Sequence, residues 1–342
     1  MKIIGLVKER KDGENRVALI PEHVAILANK GHTIFVEESA GLGSGFSDQD
    51  YANSHPNVRV VPTNEVYKNA NFIVKVKEPI DFDLQYLSSQ HSVFSYLHLA
   101  PNPKLTRTLI ERNIDSYAFE SIQDVHGKYP MLVPMSEIAG KLAIHFAAEH
   151  LRNGYEKYPG ALIGPSTKVV VCGCGTAGAA AAKLAIKLGC EVVVGDMNFN
   201  SVLSIPYASK GYDLKDARQS AFFYENEVTT ADVFIGAVLI PNKRAPIVVS
   251  HDLVKQMKKY AIIVDIAIDQ GGCVETSTIT SHTNPVSIVE GIRHICIPNM
   301  PGCVPSTASE RISFYATEYI FSGKYVDGAN IINGKPVIDL GL

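Results

Sequence analysis

Length, composition and charge exclude several classes of protein. The chain has 342 residues, 46% hydrophobic and 20% charged, a balance typical of a two-domain globular enzyme. Its formal charge of −3 leaves no basic footprint for nucleic acid, and no apolar run reaches the ~18 residues that a membrane span needs. We therefore expect neither a nucleic-acid nor a membrane partner. Because the N-terminus also lacks the long apolar region of a signal peptide, we expect a cytoplasmic location and reduced cysteines.

The first third of the chain alternates apolar runs with helical patterns. Strands are predicted at residues 3–7, 33–36, 71–76 and 92–97. A helix is predicted at residues 21–30, with Pro21 in its first turn and Gly31 as its stop. Alternation of this kind predicts a largely parallel sheet with helices on its faces.

The second part of the chain begins with a long helix, predicted over residues 135–152, which Ser136 is able to cap. A strand at 168–172, a glycine turn at 173–178, a helix at 179–188 and a strand at 191–194 follow. Residues 198–220 are expected to form a helix. Further strands are predicted at 233–239, 262–266 and 295–297, then a helix at 308–321 and a short strand-and-turn tail at 325–342.

The glycine turn carries the clearest functional pattern. Residues 173–178 read G-x-G-x-x-G, the turn follows an apolar strand, and it opens an Ala-rich helix. In that context Gly173 permits a tight turn, Gly175 lets the backbone approach a pyrophosphate, and Gly178 allows close packing of helix and strand. Asp196, 18 residues beyond Gly178, suits the ribose hydroxyls and would repel a 2′-phosphate, so NAD is predicted over NADP. The alternative is a strand–turn–helix with incidental glycines.

Polar residues that follow apolar strands give the candidates for chemistry. They are Arg16, Lys75, Lys77, His98, Asp265 and Asp269. In open parallel sheets ligands bind at the carboxyl ends of strands, where these side chains are expected. Each has a structural alternative: taken alone, Arg16 and the two lysines would be exposed charges, and His98 a satisfied structural histidine.

Six strings of residues in this order resemble alanine dehydrogenases over residues 1 to about 320. They are RVAL from Arg16, KVKEP from Lys75, YLHL from Tyr96, PMSEIAG from Pro134, DIAIDQGGC from Asp265 and NMPGCVP from Asn299. The same fold family includes the soluble NAD-binding part of proton-translocating transhydrogenase and, more distantly, the lysine-forming saccharopine dehydrogenases. The resemblance implies a reversible, NAD-dependent conversion of L-alanine to pyruvate and ammonium by hydride transfer.

The resemblance also implies a role for each site residue. Arg16 and Lys77 would hold the substrate carboxylate and carbonyl, and His98 would be the general acid–base, assisted by Asp269. Substrate contacts would come from Tyr96, Met135 and Asn299. Cofactor contacts would come from Ser136, Gly173, Gly175, Thr176, Ala177, Gly178, Asp196, Val238, Leu239, Ile266, Asp269, Asn299 and Met300. Lys75 and Asp265 keep a structural interpretation, and no metal ligands are predicted.

Three functions stay open at this point. The first is the alanine dehydrogenase, or a dehydrogenase for another small amino acid. The second is a transhydrogenase-like subunit, which His98 together with Asp269 argues against. The third is a catalytically silent NAD-binding protein. Two features depart from the family pattern: a short tail, which leaves the state of the expected homo-oligomer open, and residues 287–293, which stand where we expect a different polar loop near the nicotinamide.

The predicted fold is α/β, with two Rossmann-like domains, doubly wound parallel sheets and a cleft between the domains. Residues 136–300 are predicted to form the NAD-binding domain, inserted into a discontinuous substrate and catalytic domain of residues 1–135 and 301–342.

Overall fold

The computed structural model describes residues 1–153, 160–240 and 244–340. It divides into two compact units, the first formed by Met1–Met135 with Gly302–Leu342 and the second by Ser136–Pro301. Residues 154–159, 241–243 and 341–342, which belong to the predicted domains, lie outside the described residues. The functions assigned to the two domains, and the cleft, stay predictions.

The first unit is built on an eight-stranded sheet. Its strands are β1 (Ile3–Leu6), β2 (Thr33–Glu37), β3 (Val58–Val61), β4 (Phe72–Val74), β5 (Ser92–Ser95), β6 (Asp115–Ala118), β14 (Ala329–Ile332) and β15 (Lys335–Pro336). Its helices are α1 (Pro21–Asn29), α2 (Asp48–Ala52), α3 (Thr63–Asn69), α4 (Asp81–Leu84), α5 (Pro103–Glu111) and α11 (Pro305–Ser322).

The strand order of this sheet is β15-β14-β6-β5-β4-β1-β2-β3. Strands β1 to β6 are parallel, and β14 and β15 add an antiparallel edge. The parallel part therefore runs 3-2-1-4-5-6, the order of a doubly wound dinucleotide-binding fold, with its switch point between β1 and β4.

The second unit repeats this order with a different set of elements. Its strands are β7 (Lys168–Cys172), β8 (Glu191–Asp196), β9 (Lys210–Asp213), β10 (Val233–Gly236), β11 (Ile262–Asp265), β12 (Ser287–Val289) and β13 (Ile292–Ile295). Its helices are α7 (Thr176–Lys187), α8 (Phe199–Leu203), α9 (Ala217–Phe222) and α10 (His251–Gln256), while α6 (Val133–Arg152) starts in the first unit and continues into the second. The sheet order is β12-β13-β11-β10-β7-β8-β9, again 3-2-1-4-5-6 in its parallel part.

Both faces of the second sheet are buried, as parallel sheets require. Along β7, Val169 and Val171 join one apolar cluster while Val170 and Cys172 join the cluster on the opposite face. This is why the strand reads as a continuous apolar run. The prediction of an α/β fold with two Rossmann-like, doubly wound sheets is confirmed.

Two predictions of local structure were wrong. Residues 198–220 are not one helix, because β9 lies between α8 and α9 and extends the sheet beyond β8. The last parallel strand is β13, which ends at Ile295 and not at 297, since it pairs with β11 at Ile292–Ile295 and with β12. Residues 287–293, the segment that departs from the family pattern, are part of a hairpin at the sheet edge.

The predicted cap of the long helix was also wrong. Helix α6 begins at Val133, three residues before Ser136, so Ser136 lies inside its first turns. Pro134 does not prevent this early start, because the first turn of a helix tolerates a residue without an N–H. Similarly, α7 begins at Thr176, inside the glycine turn, and not at 179.

Candidate functional site

The predicted site residues of the first unit follow three neighbouring strands. Arg16 lies in the loop after β1, Lys77 follows β4, and His98 follows β5. These strands are adjacent and parallel, so their carboxyl ends share one edge of the sheet at the switch point.

Arg16 is a fixed and buried cation. Only 3% of the residue is exposed, and its Nε donates to Glu14 Oε1 at 2.7 Å while Nη2 donates to Oε2. The third nitrogen, Nη1, points at Met135 Sδ at 3.3 Å. Burial raises the pKa of Glu14, but the hydrogen bonds and charge of Arg16 outweigh burial and leave that pKa below its ordinary value. The guanidinium is therefore preorganised, and it brings Met135 to the same place.

Lys77 provides a second positive charge beside the first. Burial, and then repulsion by Arg16, lower the pKa of Lys77 below that of an ordinary lysine. Within the described residues no hydrogen bond or ion pair is recorded for its ammonium group, whereas neighbouring Lys75 is buried and bonds Asp83 at 2.7 Å. A buried and a half-buried cation side by side are costly unless an anion joins them. Lys75 has the structural role.

His98 is exposed and held through its backbone. Its side chain is 52% exposed, and its φ of +47° lies in the left-handed region that residues other than glycine rarely adopt. Glu120 holds this conformation by accepting the N–H of His98 at 2.6 Å and that of Leu97 at 3.0 Å. The ring stacks on Tyr96 at 6.3 Å between centroids, and Tyr96 Oη donates to the Met131 carbonyl at 2.6 Å.

Glu120 and Glu14 were missed by sequence reasoning. There was a weak sequence indication of Glu14, which stands two residues before Arg16. A charged loop contains many acidic and basic residues at such short spacing, so this spacing alone does not identify an ion pair. Glu120 had none, because it is 22 residues from His98 and the two meet only when β5 and β6 pair.

In the second unit the glycine turn has the geometry that a phosphate cradle needs. Gly173 has φ of +94°, and a Cβ there would meet the Ala237 carbonyl oxygen at 2.5 Å. A Cβ on Gly178 would overlap the Gly173 carbonyl, while one on Gly175 would point into open space. Thr176 and Ala177 form the first turn of α7, whose N–H groups have no acceptor within the helix. The residues fit a dinucleotide pyrophosphate.

Asp196 joins this turn to the end of β8. Its Oδ2 accepts the N–H of Cys174 at 2.5 Å and its Oδ1 accepts that of Asn198 at 2.6 Å. The carboxylate is thus fixed at the carboxyl edge, and each oxygen has a second lone pair for a ribose hydroxyl.

The remaining predicted residues follow β10, β11 and β13 of the same sheet. Val238 and Leu239 come after β10, Ile266 opens the turn after β11, and Met300 is buried after β13. Asp269 and Asn299 come together, because the Asp269 carboxylate accepts the Asn299 N–H at 3.1 Å and 3.2 Å. Ser136 lies on α6, half-buried.

Asp265 holds the loop after β11, which carries Asp269, through hydrogen bonds. It is fully buried and accepts the N–H groups of Ala267, Cys273 and Val274 and the hydroxyl of Ser277. The Asp265 carboxylate therefore holds together both ends of the loop that carries Asp269. No cluster of three metal-binding side chains, and no helix long and apolar enough to cross a membrane, occurs in residues 1–153, 160–240 or 244–340. All six cysteines are free thiols.

Comparison with known proteins places this geometry in a family. The family models described as alanine dehydrogenase/PNT match the chain almost throughout, the N-terminal domain model at residues 5–139 and the C-terminal domain model at residues 143–342. An alanine dehydrogenase of Staphylococcus epidermidis is 39% identical, over 90% of this chain and 83% of its own length. One from Methanococcus maripaludis is 35% identical over 97% of this chain and 94% of its own.

A solved structure agrees with the two sequence relatives. An L-alanine dehydrogenase superposes with a TM-score of 0.87 at 36% identity, covering 98% of this chain and 96% of the other. The predicted resemblance is confirmed, and the chain belongs to the alanine dehydrogenase/PNT family.

Proposed function

We propose that this protein is an NAD-dependent L-alanine dehydrogenase, which interconverts L-alanine with pyruvate and ammonium. The observation that carries the proposal is the cation pair of Arg16 and Lys77 beside an exposed His98 at one sheet edge. Its family membership and its relatives named alanine dehydrogenase support the same substrate. A small 2-oxo acid offers the carboxylate and carbonyl that this pair lacks.

The first unit would bind and polarise the substrate. Arg16, fixed by Glu14, binds the carboxylate, and the Lys77 ammonium donates to the carbonyl oxygen, which favours attack by ammonia at that carbon. His98 moves protons to and from the substrate oxygen and nitrogen, because an imidazole titrates near neutral pH. Tyr96 and Met135 line the site: Tyr96 supports the His98 ring, and Met135 contacts the guanidinium.

The second unit would hold the dinucleotide. Thr176, Ala177 and Gly178 present the N-terminus of α7 to the pyrophosphate at Gly173 and Gly175, and Asp196 receives the ribose hydroxyls. Ser136, Val238, Leu239, Ile266 and Met300 line the remainder of the site. When bound, NADH supplies the hydride for the substrate carbon. Asp269, held to Asn299, assists proton transfer there. The negative charge of Asp196 favours NAD over NADP. We also propose that the protein is cytoplasmic and forms a homo-oligomer.

The experiment is NADH oxidation followed at fixed pyruvate with and without ammonium. Ammonium-dependent oxidation with pyruvate preferred over larger 2-oxo acids supports the proposal. Turnover only with another 2-oxo acid would change the substrate, and hydride exchange between NADH and NADP without any 2-oxo acid would favour the transhydrogenase-like alternative. NADH binding with no turnover on any 2-oxo acid would favour a silent binding protein.

A further inference from the structure

One buried carboxyl beside the substrate site has no part in the chemistry proposed above. Glu9 follows β1 and is only 8% exposed. Its Oε1 accepts the N–H of Val76 at 2.5 Å and that of Lys77 at 3.4 Å. Glu9 therefore ties the loop after β1 to the segment after β4, and it holds the backbone of the residue that carries the second substrate-binding cation.

The other oxygen of Glu9 has no hydrogen-bond donor among the described residues. Oε2 is buried, and the nearest cation, Lys75, is 3.9 Å away and directs its hydrogen bond to Asp83 at 2.7 Å. Two carboxyl groups thus face one ammonium. A buried carboxylate oxygen without a donor favours the protonated acid.

The charged groups that face Glu9 favour its protonated form. Lys75 is balanced by Asp83 and Arg16 by Glu14, so these four groups sum to zero. An ionised Glu9 would add a charge of −1 to these four groups and offset the positive charge of Lys77, whereas a protonated Glu9 leaves the four groups neutral and the charge of Lys77 uncompensated. Burial in the first place raises the pKa of Glu9 to about 7, with Lys75 and the Val76 N–H opposing the shift and Glu14 and Asp83 adding to it.

We propose that Glu9 is a positioning residue of the substrate site that is protonated on Oε2 when the substrate carboxylate is bound, while Oε1 holds the Lys77 backbone. The inference rests on the proposed function, in which Arg16 and Lys77 bind that carboxylate. With Glu9 protonated, no negative charge on Glu9 offsets the positive charge of Lys77, and Lys77 attracts the substrate anion. Above neutral pH Glu9 ionises, its charge offsets that of Lys77, and the affinity for a 2-oxo acid falls.

The test compares the KM for pyruvate of the wild type with that of Glu9→Gln across pH, at saturating NADH and ammonium. Glutamine imitates the protonated acid and keeps an acceptor for Val76. Dividing the KM of the wild type by the KM of Glu9→Gln at each pH cancels every effect that both enzymes share, including ammonium speciation. We expect the KM of the wild type divided by that of Glu9→Gln to be near one at about pH 6 and to rise on the order of tenfold by about pH 8.5. The kcat should be the same in both enzymes. A ratio that stays constant with pH would overturn the proposal.

Glu78→Gln is the matched control. Glu78 adjoins Lys77 and also has a buried oxygen without a hydrogen-bond partner, but it pairs with Lys11 at 2.5 Å. Burial raises the pKa of Glu78, but the Lys11 pair more than offsets this and the pKa lies below its ordinary value, so Glu78 stays ionised over the same range. The variant should keep the wild-type pH dependence of KM. Loss of that dependence in Glu78→Gln would assign the effect to the loop and not to Glu9.

A second measurement does not depend on turnover or on the folding of a variant. Infrared spectra of the wild type, recorded as pH rises, should lose a protonated-carboxyl band with a midpoint of about 7. Failure to find this band would overturn the proposal about Glu9 even in an active enzyme. An inactive wild type that nevertheless shows the band would contradict the proposed function instead.

Discussion

The loop after β1 and the turn after β7 occupy the same place in two sheets of the same strand order, yet they are built from different residues. The turn after β7 is short and made of glycines, so that backbone N–H groups face the ligand. The loop after β1 is long and charged, and its side chains form one ion pair within the loop, one with Glu37 at the end of β2 and one with Glu78 after β4. One strand order can therefore support binding sites for two kinds of anion. Backbone donors suit a pyrophosphate, and a preorganised guanidinium suits a carboxylate.

The largest effect on substrate affinity is expected when the guanidinium of the charged loop is removed. Arg16→Met should raise the KM for pyruvate on the order of 10²- to 10³-fold, because the substrate carboxylate loses a buried charged partner, a loss that costs roughly 2–5 kcal/mol of binding free energy. The same variant should lose thermal stability because Glu14 stays buried without its partner. Kinetics and thermal unfolding measure the two effects.

The double variant Glu14→Gln with Arg16→Met separates binding from stability. It should recover much of the melting temperature but none of the pyruvate affinity. If the double variant regains pyruvate affinity as well, Arg16 is a structural residue and the comparison of the two loops fails.

Two alanine substitutions in the glycine turn should behave differently. Gly173→Ala should destabilise the fold, because its φ is +94° and a Cβ would meet the Ala237 carbonyl. Gly175→Ala meets no protein atom and should fold normally, yet bind NADH about tenfold or more weakly, roughly 1.4 kcal/mol, because the methyl keeps the pyrophosphate away. NADH fluorescence titration measures this, and wild-type affinity in Gly175→Ala would show that the ligand does not approach that backbone.

A smaller effect is expected at the carboxylate that holds His98. Glu120→Gln should lower kcat about tenfold with an unchanged KM for NADH, because one acceptor oxygen remains while a left-handed residue that costs roughly 1–3 kcal/mol loses part of its support. Glu111→Gln, at an exposed position on α5, is the control and should be silent. Equal kcat in Glu120→Gln and the wild type would remove Glu120 from the account.

The smallest effect is expected at Asp196. Asp196→Asn keeps an acceptor for the turn but loses the charge, so NADH affinity should fall only a few-fold, about 1 kcal/mol, while NADPH affinity rises. Competitive binding of the two dinucleotides measures the ratio. A preference that does not change would mean that other residues select the cofactor.

The two loops also differ in how much of them the sequence could predict. The strand at 168–172 and the glycine turn are local patterns; the strand has its predicted bounds, and the turn lies at its predicted place but is shorter because α7 begins at Thr176. The charged loop gave the residue types but not their partners. Whether Arg16 points to solvent or to Glu14 depends on burial, which arises only when β1, β4 and the following loops pack together.

Predictions of some strands and of long-range contacts failed for a similar reason. The strand β9 has a short, polar sequence and is stabilised by pairing with β8, so its own residues carry no apolar pattern. The grip of Glu120 on His98 likewise joins residues that only the sheet brings together. Local patterns give the candidate site residues, and tertiary pairing decides which other residues hold them in place.

NADH oxidation by pyruvate, with and without ammonium, in the wild type and in His98→Ala tests the proposed activity most directly. We expect ammonium-dependent oxidation in the wild type and a fall in kcat of about 10²- to 10⁴-fold in His98→Ala, the range expected on losing a general acid–base, with NADH binding unchanged. Oxidation in His98→Ala at the wild-type rate, or none in the wild type, would contradict the proposal.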